Sequence, residues 1–283
     1  MTYIPALPDI VLEPIVRLAL SEDLGRAGDL TTDATIPPET QMAVQIVGRK
    51  SGVIAGLDAA SLALRMIDPS VKLDILTPDG GAVEPGQSVA RLEGSARSIL
   101  TAERTILNFM GRLSGIATLT RTFVSKVEGT KARIVCTRKT TPGHRAVEKR
   151  AVRCGGGTSH RYGLDDAIMI KDNHIAACGS ITEAVKRALD YAGHLRMVEV
   201  EVDTLDQLEL ILPLKPHAVL LDNMSCDQLS EAVRMVDGAF TTEASGGVNL
   251  DTVSDIAKTG VDFISVGALT HSALNLDLGM DAV

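Results

Sequence analysis

The sequence predicts an α/β protein with a barrel of parallel strands in its carboxy-terminal part and an α+β domain before it. Short, apolar, β-branched runs recur after residue 131. Amphipathic stretches with helical spacing separate these runs, which is typical of parallel strands covered by helices. The first 112 residues lack this alternation of strand-like and helix-like segments. We therefore divide the chain into a domain over residues 1–112, a barrel over 113–270 and a tail over 271–283.

The amino-terminal domain is predicted from its periodicity and its turns. Apolar spacing indicates a helix over residues 10–21, strands over 44–49 and 53–55, and a long helix over 98–127. Asp79–Gly81 and Glu84–Gln87 carry turn residues on either side of short strands. Gly111 or Gly115 is the expected place for an interruption of the long helix, because glycine weakens helices.

Six apolar runs predict the strands of the barrel, with room for a seventh. They cover residues 132–136, 167–170, 197–200, 218–221, 239–242 and 263–266. Helices are predicted from Ser180 onward, where a capping box begins the segment, and over 205–212, 226–236 and 250–259. The strand ends lie 21 to 33 residues apart, which suits one strand, one helix and two loops. In such barrels the functional residues lie at the carboxyl ends of the strands.

Composition excludes several classes of protein. The formal net charge of −8 and the 2% aromatic content argue against a nucleic-acid-binding surface. No apolar run approaches the ~20 residues that span a bilayer, and Met1–Asp9 do not resemble a signal peptide. The four cysteines form no CxxC pair. We expect a cytoplasmic protein with reduced thiols, no membrane segment and no nucleic-acid partner.

The positive charge is concentrated in one region. Ten basic residues and three acidic ones lie between positions 131 and 171. One interpretation is a focused site for a small polyanion. The other, for Lys149, Arg150 and Arg153, is a solvated helix face. Arg138, Lys139 and Lys171 suit the first interpretation better, because each follows a predicted strand.

Cationic and hydroxyl side chains follow the first two predicted strands. Thr137, Arg138 and Lys139 come directly after the first strand, where arginine can grip a carboxylate or phosphate through paired hydrogen bonds. Gly155–Arg161 is a glycine-rich loop that ends in His160 and Arg161, and its backbone N–H groups can approach an anion. Lys171 follows the second strand and can contact a phosphate, form a Schiff base or pair with Asp172.

Carboxylates and glycines follow the later strands. Glu201 and Asp222 end consecutive strands and can hold Mg²⁺, which prefers oxygen ligands, or they can simply balance the basic region. Two glycine-containing segments follow the last strands, where α/β barrels commonly bind a phosphate. Their residues are Ser245, Gly246 and Gly247, and Val266, Gly267 and Ala268.

Taken together, these motifs resemble the quinolinate phosphoribosyltransferase family along nearly the whole chain. The resemblance begins at Glu22–Gly25 and Gly28–Thr32 and is densest after residue 138. It is carried by Ala102–Asn108, Arg138–Gly143, Gly155–Arg161, Lys171–Ile175, Glu199–Glu201, Leu221–Asn223, Glu243–Gly247 and Ile264–Leu269.

The resemblance implies an incomplete barrel and an obligate homodimer in which the amino-terminal domain of one subunit caps the barrel of the other. Arg104 would reach into the partner's site. Arg138, Arg161 and His160 would bind the two carboxylates of quinolinate, bordered by Lys139 and Lys171. Glu201 and Asp222 would hold the ribose hydroxyls and the Mg²⁺ of phosphoribosyl pyrophosphate. The glycine segments after the last strands, with Ser245, would bind its 5-phosphate.

The implied reaction is decarboxylating phosphoribosyl transfer in NAD biosynthesis, with Lys139, Lys171, Glu201 and Asp222 as the catalytic set. Two other functions are weighed against it. A class I aldolase-like lyase would use Lys171 as a Schiff-base lysine but leaves the arginines and the Glu201/Asp222 pair without a role. A non-enzymatic anion-binding module would bind phosphoribosyl pyrophosphate without turning it over.

Overall fold

The computed structural model describes residues 4–283. The helices are α1 Asp9–Leu24, α2 Leu30–Thr35, α3 Leu57–Ile67, α4 Ala96–Lys126, α5 Arg145–Cys154, α6 Asp172–Cys178, α7 Ile181–Ala192, α8 Leu205–Ile211, α9 Cys226–Val236, α10 Val253–Lys258 and α11 Ala268–His271, with a 3₁₀ turn at Leu212–Leu214. The strands are β1 Gln41–Gly48, β2 Gly52–Val53, β3 Lys72–Ile75, β4 Ala82–Val83, β5 Ser88–Ser95, β6 Arg133–Val135, β7 Ile168–Ile170, β8 Val198–Val202, β9 Ala218–Asp222, β10 Thr241–Ser245, β11 Phe263–Ser265 and β12 Leu278–Ala282. Among the residues described, no helix combines the length and apolar character needed to cross a membrane.

The contacts group the chain into two compact units. The first runs to Arg121 and includes residues 140–156 and 269–283, and the second comprises residues 122–139 and 157–268. This grouping differs from the sequence-based division after residues 112 and 270, because α5 and the turn before it make their contacts within the first unit.

A six-stranded parallel sheet forms the second unit, in the order β6-β11-β10-β9-β8-β7. It is the predicted barrel, open between its first two strands, since β6 and β7 are the edges. Thr158 makes an isolated parallel bridge to Val135 at the β6 edge, and the described residues add no seventh strand. The fifth strand begins at Thr241 rather than at Ala239, because Ala239 belongs to the turn after α9, where its N–H donates to the Val236 carbonyl oxygen.

Local capping fixes where the barrel helices begin. The Ser180 hydroxyl accepts a hydrogen bond from the Glu183 N–H at the start of α7. Ser225 and Gln228 form a reciprocal capping box at the start of α9, which has its predicted bounds. Helix α7 packs against β8, whose Val198, Val200 and Val202 are fully buried.

The first unit contains a four-stranded antiparallel sheet in the order β12-β1-β5-β3 and a small β2–β4 pair. The chain's last strand, β12, pairs with β1 from Val44↔Ala282 to Gly48↔Leu278. The tail predicted over residues 271–283 therefore contributes a strand to this sheet.

Helix α4 is continuous, so the expected interruption at Gly111 or Gly115 is wrong. These glycines instead allow the carboxy-terminal segment to lie directly against the helix. A Cβ at Gly115 would lie 2.0 Å from the Leu274 carbonyl oxygen, and one at Gly111 would lie 3.1 Å from that of Leu276. The Leu276 N–H also donates to the Gly111 carbonyl oxygen. Close approach of two backbones explains both glycines.

Helix α5 buries part of the basic region. Arg150 is only 9% exposed and forms ion pairs with Asp58 and Asp79, at 3.2 and 2.5 Å. Lys149 is 4% exposed, whereas Arg153 lies at the surface. A solvated face is therefore the wrong interpretation for Lys149 and Arg150, because a buried arginine requires charged partners.

Gly115→Ala should destabilise the protein. The added methyl group would collide with the Leu274 carbonyl oxygen, and overpacking of this kind costs about 1–3 kcal/mol. That cost exceeds the gain of up to about 1 kcal/mol that alanine brings to a helix. Urea unfolding of the variant, with Gly111→Ala as the milder matched change, measures the effect. Unchanged stability in Gly115→Ala would contradict the close-approach explanation.

Candidate active site

A cavity of about 310 Å³ opens at the carboxyl ends of the parallel strands in the second unit. Nine of the sequence-predicted site residues line it together. They are Thr137, Arg138, Lys139, His160, Arg161, Lys171, Glu201, Asp222 and Ser245. Residues from five strand ends and one loop thus share a single cavity.

Strand alternation decides which acidic residues face this cavity. Successive side chains of a strand point to opposite faces, so Glu199 and Glu201 share the face of β8 opposite to its three buried valines. Glu201 is in register with Leu220 of β9, and Leu220 with Glu243 of β10. The acidic residues therefore form a wall that runs from the barrel interior towards its mouth.

Two guanidinium groups face the same cavity. Burial and the nearby positive charge of Arg138 lower the pKa of the Arg161 guanidinium. Arg161 donates from Nη1 to the Ala167 carbonyl oxygen at 2.9 Å, whereas the buried Nε of Arg138 has no hydrogen-bond partner. Two like charges in one cavity, one with an unsatisfied donor, are an arrangement that an anionic ligand stabilises.

Lys171 lies at the end of β7 and pairs with a carboxylate across the cavity. Its Nζ contacts Glu201 Oε2, rather than Asp172 as the alternative interpretation had it. Its backbone N–H donates to His174 Nδ1 at 3.0 Å, at the start of α6. The paired ammonium is placed to meet an anion at the mouth of the barrel.

His160 bonds to the protein through both ring nitrogens. Nδ1 accepts the Arg161 backbone N–H at 2.7 Å, and Nε2 lies 3.2 Å from Glu199 Oε2 and 3.4 Å from Glu243 Oε1. Both glutamates are buried. The three groups bring potential metal-ligating atoms within 4.8 Å of one another, and the buried Glu243 Oε1 makes the longer of the two contacts, without a regular hydrogen bond.

This cluster holds an extra proton. Burial alone would lower the pKa of His160, but hydrogen bonds to Glu199 and Glu243 outweigh it and raise the pKa to about 10. Burial and the charge of Glu199 raise the pKa of Glu243. Because Nδ1 accepts the Arg161 N–H, the ring carries one proton, on Nε2, and the extra proton of the cluster is held by the glutamate carboxyl groups, in line with the raised pKa of Glu243. The three groups therefore titrate as a unit.

Asp222 and Ser245 are paired in register at the ends of β9 and β10. The next residues, Asn223 and Gly246, both have left-handed backbone conformations. The remaining predicted phosphate-binding residues do not line the cavity. Gly246 and Gly247 follow β10, and Val266, Gly267 and Ala268 follow β11.

Arg104 lies on α4 in the first unit, where its side chain is exposed. Within residues 4–283 it forms neither a hydrogen bond nor an ion pair. Contacts within a single described chain therefore do not explain the position of Arg104, which the sequence predicts to touch substrate.

Comparison with known proteins agrees with the motifs. The model of the quinolinate phosphoribosyl transferase carboxy-terminal domain matches residues 116–281, and that of the amino-terminal domain matches residues 29–114. The chain belongs to the quinolinate phosphoribosyltransferase family.

Similar family members come from distant organisms. The nicotinate-nucleotide pyrophosphorylase [carboxylating] of Mycobacterium leprae is 46% identical over 94% of this chain and 95% of its own length. A mitochondrial quinolinate phosphoribosyltransferase [decarboxylating] of Nicotiana tabacum is 41% identical over 98% and 83%, respectively. The solved nicotinate-nucleotide pyrophosphorylase of Francisella tularensis superposes with a TM-score of 0.94 at 38% identity, covering both chains completely.

Family membership does not favour the aldolase-like alternative, and the Lys171–Glu201 pair gives Lys171 another partner. Glu199, Glu243 and Asn223 lie in motifs that carry the family resemblance, but the sequence assigned none of them a role in the site. Period-two alternation along β8 and β10 was the available signal for the glutamates, because it places Glu199 with Glu201 and Glu243 with Ser245.

Stability should fall as pH rises from about 6.5 to 10, through the His160 cluster. The folded cluster keeps a proton that the unfolded histidine loses above its ordinary pKa of 6.5, so unfolding releases a proton in this window. One such proton is worth at most about 1.4 kcal/mol per pH unit. Glu243→Gln removes one carboxylate and thereby lowers the pKa of His160. The free energy of unfolding of this variant should therefore fall less steeply as the pH rises.

Urea unfolding at several pH values between 6.5 and 10 measures this slope. Glu183→Gln is the matched control, since Glu183 makes an exposed ion pair with Arg187 on α7. Equal slopes in wild type, Glu243→Gln and the control would contradict the shared proton.

Proposed function

We propose that this chain transfers the phosphoribosyl group of phosphoribosyl pyrophosphate to quinolinate, with loss of CO₂. The products are nicotinate mononucleotide and pyrophosphate. The observation that carries the proposal is the convergence of Arg138, Arg161, Lys139 and Lys171 on one cavity beside acidic Glu201 and Asp222. Family membership and the names of the relatives support it.

Arg138 and Arg161 bind the two adjacent carboxylates of quinolinate. Both guanidiniums line the cavity, and the free buried Nε of Arg138 is a donor that a carboxylate satisfies. The ring of His160 keeps its contacts with Glu199 and Glu243 and presents Arg161 through the bond from the Arg161 N–H. Its contribution to quinolinate binding is therefore mainly the orientation of that arginine.

The phosphoribosyl side of the cavity combines cations, carboxylates and a phosphate-binding turn. Lys139 and Lys171 border the diphosphate, and Glu201 and Asp222 hold the ribose hydroxyls. Ser245, with the glycine segments at Gly246–Gly247 and Val266–Ala268, receives the 5-phosphate. Two oxygen-donor carboxylates on neighbouring strands also fit Mg²⁺, which keeps water and substrate phosphates among its ligands. When bound there, Mg²⁺ neutralises the negative charge of the leaving pyrophosphate.

The chemistry requires position and charge rather than a protein nucleophile. The pyridine nitrogen attacks C1 of the ribose as the C1–O bond to pyrophosphate breaks. The carboxylate of Glu201 stabilises the positive charge that develops on the ribose. The ring nitrogen becomes cationic and stabilises the electron pair that stays on the adjacent ring carbon when its carboxylate leaves as CO₂. The vacated ring carbon then takes up a proton.

The functional assembly in this proposal is a homodimer in which Arg104 enters the partner's active site. Its exposed guanidinium, without a hydrogen bond or ion pair in the described chain, supports this role. Helix α1 also exposes Ile10 and Leu18, at 81% and 65%. Apolar residues so exposed in the first unit are suited to contact with a second copy. Four free cysteines suit the reducing cytoplasm, where we place the reaction.

Pyrophosphate release tests the reaction directly. Purified protein with quinolinate, phosphoribosyl pyrophosphate and Mg²⁺ should release pyrophosphate and CO₂ in equal amounts. Nicotinate lacks the second carboxylate, so it leaves one guanidinium unpaired and should be a poor substrate. Arg161→Lys keeps the charge but loses the paired geometry, and should lower kcat/KM by about tenfold to a hundredfold.

Binding of phosphoribosyl pyrophosphate without pyrophosphate release would instead indicate an anion-binding module. Comparable turnover of nicotinate would overturn the assignment of Arg138 and Arg161 to the two carboxylates.

Hybrid dimers test the shared site. Arg104→Ala and Lys139→Ala should each be inactive, because each removes a substrate contact from every site. After subunit exchange, mixed dimers contain one intact site, so activity should return to about a quarter of the wild-type value. The same variants mixed without exchange are the control. No recovery despite exchange, shown by mass spectrometry of tagged subunits, would count against sharing.

A further inference from the structure

Asn223 has an unusual backbone conformation at the mouth of the barrel. Its φ of 54° lies in the left-handed region, which only Lys215 and Asp237 share among the non-glycine residues described by the structure. Those two residues end helical segments, where this conformation is common. Asn223 instead follows β9, directly after Asp222. A non-glycine residue keeps this conformation at the end of a strand only where local contacts stabilise it.

Asn223 connects Asp222 with the end of the neighbouring strand. Its side-chain Nδ2 donates to Asp222 Oδ2 at 2.6 Å, and its backbone N–H donates to the Ser245 carbonyl oxygen at 2.9 Å. The left-handed conformation allows one residue to make both bonds. Asparagine is among the few side chains that adopt it readily, and its amide supplies the donor that a carboxylate needs.

Gly246 completes the arrangement. A Cβ at Gly246 would lie 2.1 Å from Asn223 Oδ1 and 2.8 Å from the Asn223 backbone nitrogen. Gly246 itself has a φ of 91°. The turn after β10 therefore packs directly on the Asn223 amide, and any side chain at position 246 would displace it.

We propose that Asn223 is a positioning residue that fixes Asp222 relative to the Ser245–Gly246 turn. The inference rests on the proposed function, in which Asp222 holds the ribose and Mg²⁺ and the turn receives the 5-phosphate of the same substrate. By bonding to both, Asn223 sets the distance between two contacts that phosphoribosyl pyrophosphate must make together. Loss of its amide should weaken binding of this substrate and leave quinolinate recognition intact.

Two substitutions separate the amide from the backbone conformation. Asn223→Gly accepts the left-handed φ without strain but has no amide. Asn223→Asp also tolerates this φ, but it places a second carboxylate beside Asp222. Asp237→Gly is the matched control, because it relieves the same conformation at the end of α9 without touching the cavity.

The binding of phosphoribosyl pyrophosphate with Mg²⁺ is measured by titration calorimetry without quinolinate, and the melting temperature is measured alongside. Asn223→Gly should weaken this binding about tenfold, the scale of a lost hydrogen bond to a charged group. Asn223→Asp should weaken it at least as much. Both variants should keep the KM for quinolinate within about twofold of wild type, a split that general destabilisation does not produce. Asp237→Gly should bind as the wild type does.

Each outcome decides one of the two hypotheses. If wild type binds phosphoribosyl pyrophosphate and releases pyrophosphate, but Asn223→Gly binds it equally tightly, the positioning role is overturned and the proposed function stands. Equal increases in both KM values would also overturn it, since they indicate a diffuse structural effect. If wild type neither binds this substrate nor releases pyrophosphate, the proposed function fails, and the inference fails with it.

Discussion

The central constraint on this fold is the mutual repulsion of cations that share one small cavity. Burial, and after it the nearby positive charge of Arg138, lower the pKa of the Arg161 guanidinium. The parallel sheet offsets the repulsion by bringing carboxylates from β8, β9 and β10 to the same face. Part of this negative charge is directed to Lys171 by Glu201. Glu199 and Glu243 lie deeper, beside His160. The guanidiniums thereby keep donors available for an anionic ligand.

Much of the barrel could be predicted, because parallel strands that are buried on both faces are continuous in hydrophobicity and end abruptly in polar residues. Asp222 directly follows the predicted strand over 218–221 and is the last residue of the observed one. Nine residues chosen at strand ends and in one loop line the same cavity. Prediction from sequence succeeds where the regular hydrogen bonding between parallel strands fixes the position of a residue. The register of β10 was harder, since Phe240 is apolar and buried yet precedes the ladder.

Contacts between residues far apart in the chain were not predictable. Nothing near Gly115 in sequence indicates that Leu274 lies against it, so the glycine was taken for a weak point in a helix. For Arg150, a solvated helix face and a polyanion site were both open interpretations, and its actual partners Asp58 and Asp79 were not foreseen. His160 was expected to face substrate, and its bonds to buried glutamates depend on strand pairing across the barrel. In each case the deciding partner lies at least 39 positions away.

The gap between β6 and β7 has a consequence for how the site is built. In a fully closed barrel, every inward-facing residue belongs to a hydrogen-bonded strand. Substitution of such a residue disturbs the neighbouring strands. Here the segment carrying Thr158, His160 and Arg161 supplies that part of the wall without belonging to a strand. Loop residues tolerate insertion and exchange better than ladder residues do. A change in this segment can therefore alter the cavity wall while the hydrogen-bonded scaffold of strands stays the same.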